Sequence, residues 1–403
     1  MERVQAEVES HYRSDLVENL RRAGGLLTVG NTTVRLAKEF GFCYGVERAI
    51  DLAYAARKVF ADRKVYLLGE IIHNPEVNRQ LSEMGIIRIP ISQHEETVSQ
   101  LSSEDVVIVP AFGAETKLMD LISQRGCLIV DTTCGDVMSV WKRVRGYAKQ
   151  GFTSIIHGKA IHEETRATSS RAMGDSGKGH YLVLLTLDDV NYVCDYIRHG
   201  GNKEEFLHRF AGSMSEGFDP DQHLKQVGVA NQTTMLKSET EELQRRIQQA
   251  IQDRDGVDAK TQNFQVFDTI CGATQERQDS LFDMLQRPMD VLIVVGGYNS
   301  SNTTHLVEIG EKQLPTFFIR TAECLKSFDE IVHFDLHLKS ETTGYSHKLT
   351  SPDPVVVGIT AGASCPNNLI EDTIFRLFEL RGIPSDKVRE VALAEAQPPP
   401  AQP

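Results

Sequence analysis

Cys43, Cys134 and Cys271 stand in one recurring local context. An apolar strand-like run leads into a turn holding the cysteine, a glycine follows within two residues, and apolar positions then recur at helical spacing. The first copy is "GFCYGVERA", with Val46, Ala49, Ile50 and Ala53 on one helical face. The second is "CLIVDTTCGDVMSVWKRV", in which Val137, Val140, Trp141 and Val144 repeat. The third is "FQVFDTICGATQERQDSLFDML", with Leu281, Phe282 and Leu285. A thiolate at the head of a helix is favoured by the dipole and by free N–H groups. A lone cysteine is most often a small buried hydrophobe, but core packing does not produce one context three times.

The other four cysteines read as ordinary. Cys127 lies within a strand, Cys194 and Cys324 sit in apolar-periodic segments, and Cys365 follows a glycine loop as the only candidate for a fourth ligand. A closed zinc site wants four ligands, commonly in C-x-x-C pairs, and no such pair occurs in this chain. Iron–sulfur clusters accept cysteines far apart in sequence, and a cubane held by three would leave one iron open to substrate.

A second set of chemical groups gathers where apolar strands end. "VYLLGEIIHNPEV" delivers His73 and Asn74, and "SIIHGKAIHEETRAT" delivers His162, Glu163 and Glu164. "VGVANQTT" delivers Asn231, Gln232, Thr233 and Thr234, "VLIVVGGYNSSNT" delivers Ser300, Ser301 and Asn302, and "VVVGITAGAS" delivers Ser364. "HEETR" is not a zincin motif, because Arg166 stands where the second histidine would be. The glycine–serine–asparagine loop lacks the Walker lysine, yet its N–H groups and hydroxyls suit a phosphate at a helix start. Together these groups suggest a site for a phosphorylated molecule beside a metal centre.

The elements that must position them alternate between apolar strands and amphipathic helices, which implies parallel α/β units with ligands beyond the carboxyl ends of the strands. A chain of 403 residues exceeds one ordinary core, so two or three domains are expected. Its 40% hydrophobic and 25% charged content is that of a globular protein outside the membrane. No apolar run reaches the roughly 20 residues of a membrane span. The acidic first twenty residues argue against a secretory or transit signal, which predicts a cytoplasmic location, or the plastid stroma for a mature plastid form. A net charge of −13 argues against a nucleic-acid partner.

From about Val34 to Arg381 the chain resembles the LytB/IspH family, the 4-hydroxy-3-methylbut-2-enyl diphosphate reductases of the non-mevalonate isoprenoid pathway. The resemblance rests on "GFCYGVERA", "GEIIHN", "DTTCGDV", "HGKAIHEET", "NQTT", "DTICGATQERQ", "GGYNSSNT" and "GITAGAS", in the family's order. It implies a three-lobed, pseudo-threefold α/β fold around a central iron–sulfur cluster, and the reductive dehydroxylation of that substrate to isopentenyl and dimethylallyl diphosphates. It further implies that Cys43, Cys134 and Cys271 ligate a [4Fe–4S] cluster with one open iron. By the same likeness His73, His162, Ser300, Ser301, Asn302 and Ser364 hold the diphosphate. Glu164 is the proton donor ahead of Glu163, and Thr233 orients the substrate hydroxyl.

One position departs from the family: "VPAFGAE" has Phe112 where many bacterial members have a histidine. This resembles the branch found in oxygenic phototrophs, for which the implied electron donor is ferredoxin. Ferredoxin is acidic, so docking on this acidic chain needs a local basic patch, for which Lys142, Arg143 and Arg145 are the candidates. The expected divisions are a 1–33 extension that packs on the lobes or pairs two copies as a homodimer, then lobes at 34–133, 134–268 and 269–390. A polar surface insertion is expected at about 199–225 and a disordered tail at 391–403. The alternative to an enzyme is a non-catalytic iron–sulfur sensor, which would not need a diphosphate pocket.

Overall fold

The computed structural model describes residues 2–256, 260–267 and 269–395. In chain order the strands are β1 (Leu26–Val29), β2 (Thr32–Leu36), β3 (Val65–Leu68), β4 (Ile86–Ile89), β5 (Val106–Val109), β6 (Leu128–Asp131) and β7 (Thr153–His157). They continue as β8 (Tyr181–Leu184), β9 (Val227–Asn231), β10 (Phe264–Val266), β11 (Val291–Val295), β12 (Thr316–Ile319), β13 (Ile331–Asp335), β14 (Ser340–Gly344) and β15 (Val355–Ala361). They form three parallel-rich sheets and one two-stranded ribbon, β13–β14. Chain contacts divide the protein into one unit of residues 1–55, 72–80 and 272–403 and another of 56–71 and 81–271.

The first unit is built on a sheet of order β1-β2-β15-β11-β12, parallel except for the β1–β2 pair. Its interior strand β11, Val-Leu-Ile-Val-Val, lies between β15 and β12 and has every side chain fully buried, the continuous apolar run that a parallel strand covered on both faces requires. Each such side chain contributes on the order of 1.5–3 kcal/mol. β2, the strand that feeds Cys43, pairs in parallel with β15, Val34 facing Val357. Of the expected 1–33 extension, Met1 lies outside the described residues; the helix Asp15–Arg22 buries Val17 and Leu20, and β1 closes the edge of the sheet against β2.

The second unit holds two all-parallel sheets, β4-β3-β5-β6 and β10-β9-β7-β8. The segment 199–225, expected as a polar insertion on the surface, instead builds core. Phe206, Phe210, Phe218 and Leu224 are buried with Ile155, Leu182 and Val229, and Phe206 stacks on Phe218 at 6.1 Å. Its apolar residues are spaced by short helices and turns, so no single period marks them. The expected tail begins inside the helix Ser385–Glu395, where Ala392 is buried. Residues 396–403 of that tail lie outside the described residues. Among the described residues no helix is long and apolar enough to cross a membrane.

Candidate functional site

All seven cysteines are free thiols, and they fall into two groups. Cys127, Cys194, Cys324 and Cys365 are buried, whereas Cys43, Cys134 and Cys271 are partly accessible. Burial pushes the Cys194 thiol up to about 11 and drives Cys365 higher still. Their burial disfavours the thiolate form. The three accessible thiols precede the helices Tyr44–Val59, Gly135–Lys149 and Gly272–Leu285 directly. Open space surrounds Gly135 and Gly272, where an added Cβ would meet nothing within 4 Å. Free thiols, helix N-termini and open room at the following residue are what an iron–sulfur cluster needs.

In the first unit the Cys43 turn is pinned from two sides. Its N–H donates to the carbonyl of Ala363 at 3.3 Å. The buried guanidinium of Arg277 donates to Gly41 O at 2.7 and 3.2 Å, to Phe42 O at 3.2 Å and to Ala273 O at 2.9 Å. Ser280, one turn further along the same helix, accepts from Glu39 N–H at 2.8 Å. Gly41 has φ +79°, the left-handed region that suits glycine. Arg277 was not singled out from the sequence. Its signal was there: positions 274, 277, 278, 281 and 284 form the buried stripe of that helix, and an arginine on such a stripe must be fully hydrogen-bonded.

The residues read as diphosphate ligands in this unit come together. His73, Ser300, Ser301, Asn302 and Ser364 are all buried at the carboxyl ends of strands or the helix starts that follow. Ser364 Oγ lies 3.2 Å from the His73 carbonyl oxygen, to which it donates, and 3.4 Å from Ser300 Oγ. The Asn299 amide donates to His73 Nδ1 at 3.2 Å, so the neutral ring carries its proton on Nε2, a donor. Asn302 Oδ1 accepts from Ala363 N–H at 2.9 Å, which joins this group to the Cys43 turn. Ser300 caps the helix Ser301–Glu311, whose N-terminal N–H groups favour an anion. Gly297 must be glycine for a different reason, since a Cβ there would collide with the His73 backbone.

In the second unit Glu164 is 2% exposed and gripped by Thr233. Thr233 N–H donates to Oε1 at 2.6 Å and its hydroxyl to Oε2 at 3.1 Å. The Thr233 carbonyl in turn accepts from Cys271 N–H at 3.2 Å, linking the acid, Thr233 and the backbone of the cysteine turn in one chain. His162 caps the helix Glu163–Ala172; its Nδ1 accepts from Glu164 N–H at 3.2 Å, leaving Nε2–H as donor. Glu163 is half-buried, in contrast to Glu164. Phe112, in the place of the family's histidine, packs edge-on against His162 with centroids 5.7 Å apart. It thereby orients a ring rather than donating a hydrogen bond. Gln232 accepts from Lys159 N–H and Thr165 and donates to Thr234, fixing the turn between Asn231 and Thr233. Cys134 N–H donates to Ala111 O at 3.0 Å, and Thr133 is held on Asp131 at 2.5 and 2.9 Å. Asp268, the equivalent acid of the third copy, lies outside the described residues, while Thr269 bonds Asn231.

The model of the LytB protein family matches residues 34–378. A 4-hydroxy-3-methylbut-2-enyl diphosphate reductase of Synechococcus sp. is 47% identical over 379 residues, covering 94% of this chain and 93% of its own. The enzyme of the same name from Nostoc sp. is 46% identical, covering 94% of this chain and 92% of its own. Among solved structures, one of (E)-4-hydroxy-3-methyl-but-2-enyl diphosphate reductase matches at 26% identity with a TM-score of 0.52, covering 86% of this chain and 99% of that chain. A Plasmodium falciparum reductase, at 21% identity and a TM-score of 0.60 over 85% of this chain and 86% of its own, shares the fold. With the family model and the cyanobacterial relatives both running through nearly the whole sequence, this chain belongs to the LytB family.

Proposed function

We infer that this protein is an iron–sulfur oxidoreductase that reductively dehydroxylates 4-hydroxy-3-methylbut-2-enyl diphosphate. The reaction consumes two electrons and two protons. The allylic C–O bond breaks, a C–H bond forms at either end of the allyl unit, and water leaves with isopentenyl or dimethylallyl diphosphate. Cys43, Cys134 and Cys271 hold a [4Fe–4S] cluster with one iron open. When bound, that cluster supplies Lewis acidity and electrons one at a time. The observation that carries the reading is the hydrogen-bonded chain from Glu164 through Thr233 to Cys271 N–H.

Hydroxide is a poor leaving group, so a positioned acid must give it a proton. Glu164 is the group for this, held at both oxygens by Thr233, whose hydroxyl orients the substrate alcohol. His162 offers Nε2–H to the diphosphate, with its ring set by Phe112 and its other nitrogen by Glu164 N–H. His73, Ser300, Ser301, Asn302 and Ser364 bind phosphate oxygens through hydroxyl, amide and imidazole donors and the start of the helix Ser301–Glu311. Burial of these donors strengthens their hold on the phosphate oxygens. No nicotinamide or flavin fingerprint occurs in the sequence, so a separate carrier brings the electrons. Ferredoxin fits, docking on the exposed Lys142, Arg143 and Arg145.

The test is anaerobic purification with iron and sulfide analysis, then turnover of the wild type and of Glu164→Gln with a one-electron reductant. Gln preserves shape and can still accept from Thr233 N–H, so the variant should bind iron and substrate while turnover falls about 10²–10⁴-fold. A colourless zinc protein, or full activity of the variant, refutes the respective half.

A further inference from the structure

A cavity of the second unit lies at the opposite ends of the strands from Glu164 and Thr233. It has a volume of about 720 Å³ and is bordered by the residues that enter β7, β8, β9 and β10: Thr153, His180, Gln226 and Asn263. Glu164, Thr233 and Cys271 follow the carboxyl ends of β7, β9 and β10. A five-residue strand spans about 16 Å, so the two places are separated by the thickness of the sheet's own length. The volume is within the range of small-molecule sites.

Two of the three Lys and Arg groups at this cavity are unpaired. Lys178 and Lys225 line it, are exposed, and have no ion-pair partner among the described residues, in a chain with net charge −13. Of the acids that line it, Asp255 is ion-paired, and the exposed Asp221 is held by a hydroxyl. Asp255 accepts from Arg254 and Asn263, and Asp221 accepts from the Tyr196 hydroxyl at 2.8 Å. Arg254 is itself spent on Asp255 and on the carbonyls of Leu224 and Lys225.

His180 and His223 stack in the wall of the cavity, centroids 3.5 Å apart and planes 17° from parallel. Asp219 N–H donates to His223 Nδ1 at 2.8 Å, so the neutral ring carries its proton on Nε2. Ser215 Oγ accepts from Tyr181 N–H and meets His180 Nδ1 at 3.0 Å; in the tautomer where the hydroxyl donates to Nδ1, Nε2–H is a donor there too. Neither Nε2 has a hydrogen-bond partner among the described residues. Two imidazole N–H donors and two unpaired ammonium groups border one cavity, beside the rings of Phe152 and Tyr196. That is a donor set for an anion with an organic portion.

We propose that this cavity is a second ligand site, distinct from the reductase centre, which binds a phosphate-bearing small molecule through Lys178, Lys225, His180 and His223. It does not depend on the reductase reading. The experiment is calorimetric titration of the full protein with glycerol 3-phosphate and, separately, with inorganic phosphate, in the wild type and in Lys178→Glu/Lys225→Glu. Both lysines are exposed, so the double variant should fold and turn over substrate as the wild type does. The expected result is binding of the ester that weakens about tenfold for each lysine reversed, a change typical of losing a charge-assisted hydrogen bond. Tighter binding of the ester than of inorganic phosphate supports the organic portion, and equal binding overturns that part. Isotherms identical in wild type and double variant overturn the site.

Discussion

Arg277 offers the sharpest test of how the Cys43 turn is held. Its guanidinium donates to Gly41 O, Phe42 O and Ala273 O from a side chain only 4% exposed. Ala273 O keeps its place in the helix Gly272–Leu285, so Arg277→Met strands two loop carbonyls, those of Gly41 and Phe42. The buried Gly41 acceptor left without a donor costs about 1–3 kcal/mol, and the part-buried Phe42 carbonyl adds a smaller amount. Methionine replaces the apolar stem, so lost packing adds little. Arg277→Lys should fall between, since one ammonium cannot reach both carbonyls in the arginine's geometry. Urea unfolding of the metal-free protein measures the loss. Alkylation of individual cysteines by iodoacetamide, followed by mass spectrometry, measures the turn itself. Cys43 should react faster in Arg277→Met while Cys134, on another turn, keeps its rate. A stability change below about 0.5 kcal/mol with unchanged Cys43 alkylation would refute the clamp.

Two further outcomes are expected. Burial lowers the pKa of His180, and burial together with the neighbouring His180 lowers that of His223. The unfolded chain therefore binds protons on these residues before the folded protein does, and stability should decline as pH falls below about 6.5. The groups facing the pair are Ser215, Asp219 with its partner Lys203, Asp221, and the lysines 178 and 225. His223→Gln, which can still accept from Asp219 N–H, should flatten the dependence of urea midpoint on pH between 7.5 and 5.5; an unchanged slope would assign it elsewhere. Separately, Lys142→Glu/Arg143→Glu/Arg145→Glu should slow turnover driven by reduced ferredoxin and weaken its salt dependence, with turnover by a small reductant unaltered. Equal rates with both donors in the variant would remove this helix face from docking. Arg143 has a second role to separate from docking, since its guanidinium sits 3.9 Å over the Phe267 ring.

The elements that repeat locally can be read straight from the residues. Three cysteine turns, each between an apolar run and a helical stripe, are visible because strand period, glycine and helix period all lie within about twenty residues. The polar strand ends were legible for the same reason, and the α/β class followed from the alternation. The remaining features depend on residues far apart in the chain. β2 finds its partner in β15, more than three hundred positions away, and no local period announces that pairing. Glu164 differs from Glu163 because Thr233, 69 residues on, grips it in a buried position. The cysteines divide into accessible and buried sets through packing that composition does not encode. Phe206, Phe210 and Phe218 form core from a segment that reads as polar, because irregular spacing hides them until the chain folds back. Arg277 reaches from one cysteine's helix to brace another cysteine's turn, a contact across 236 positions. Chemistry was written in local sequence; its alignment came from long-range hydrogen bonds that only a folded chain can close.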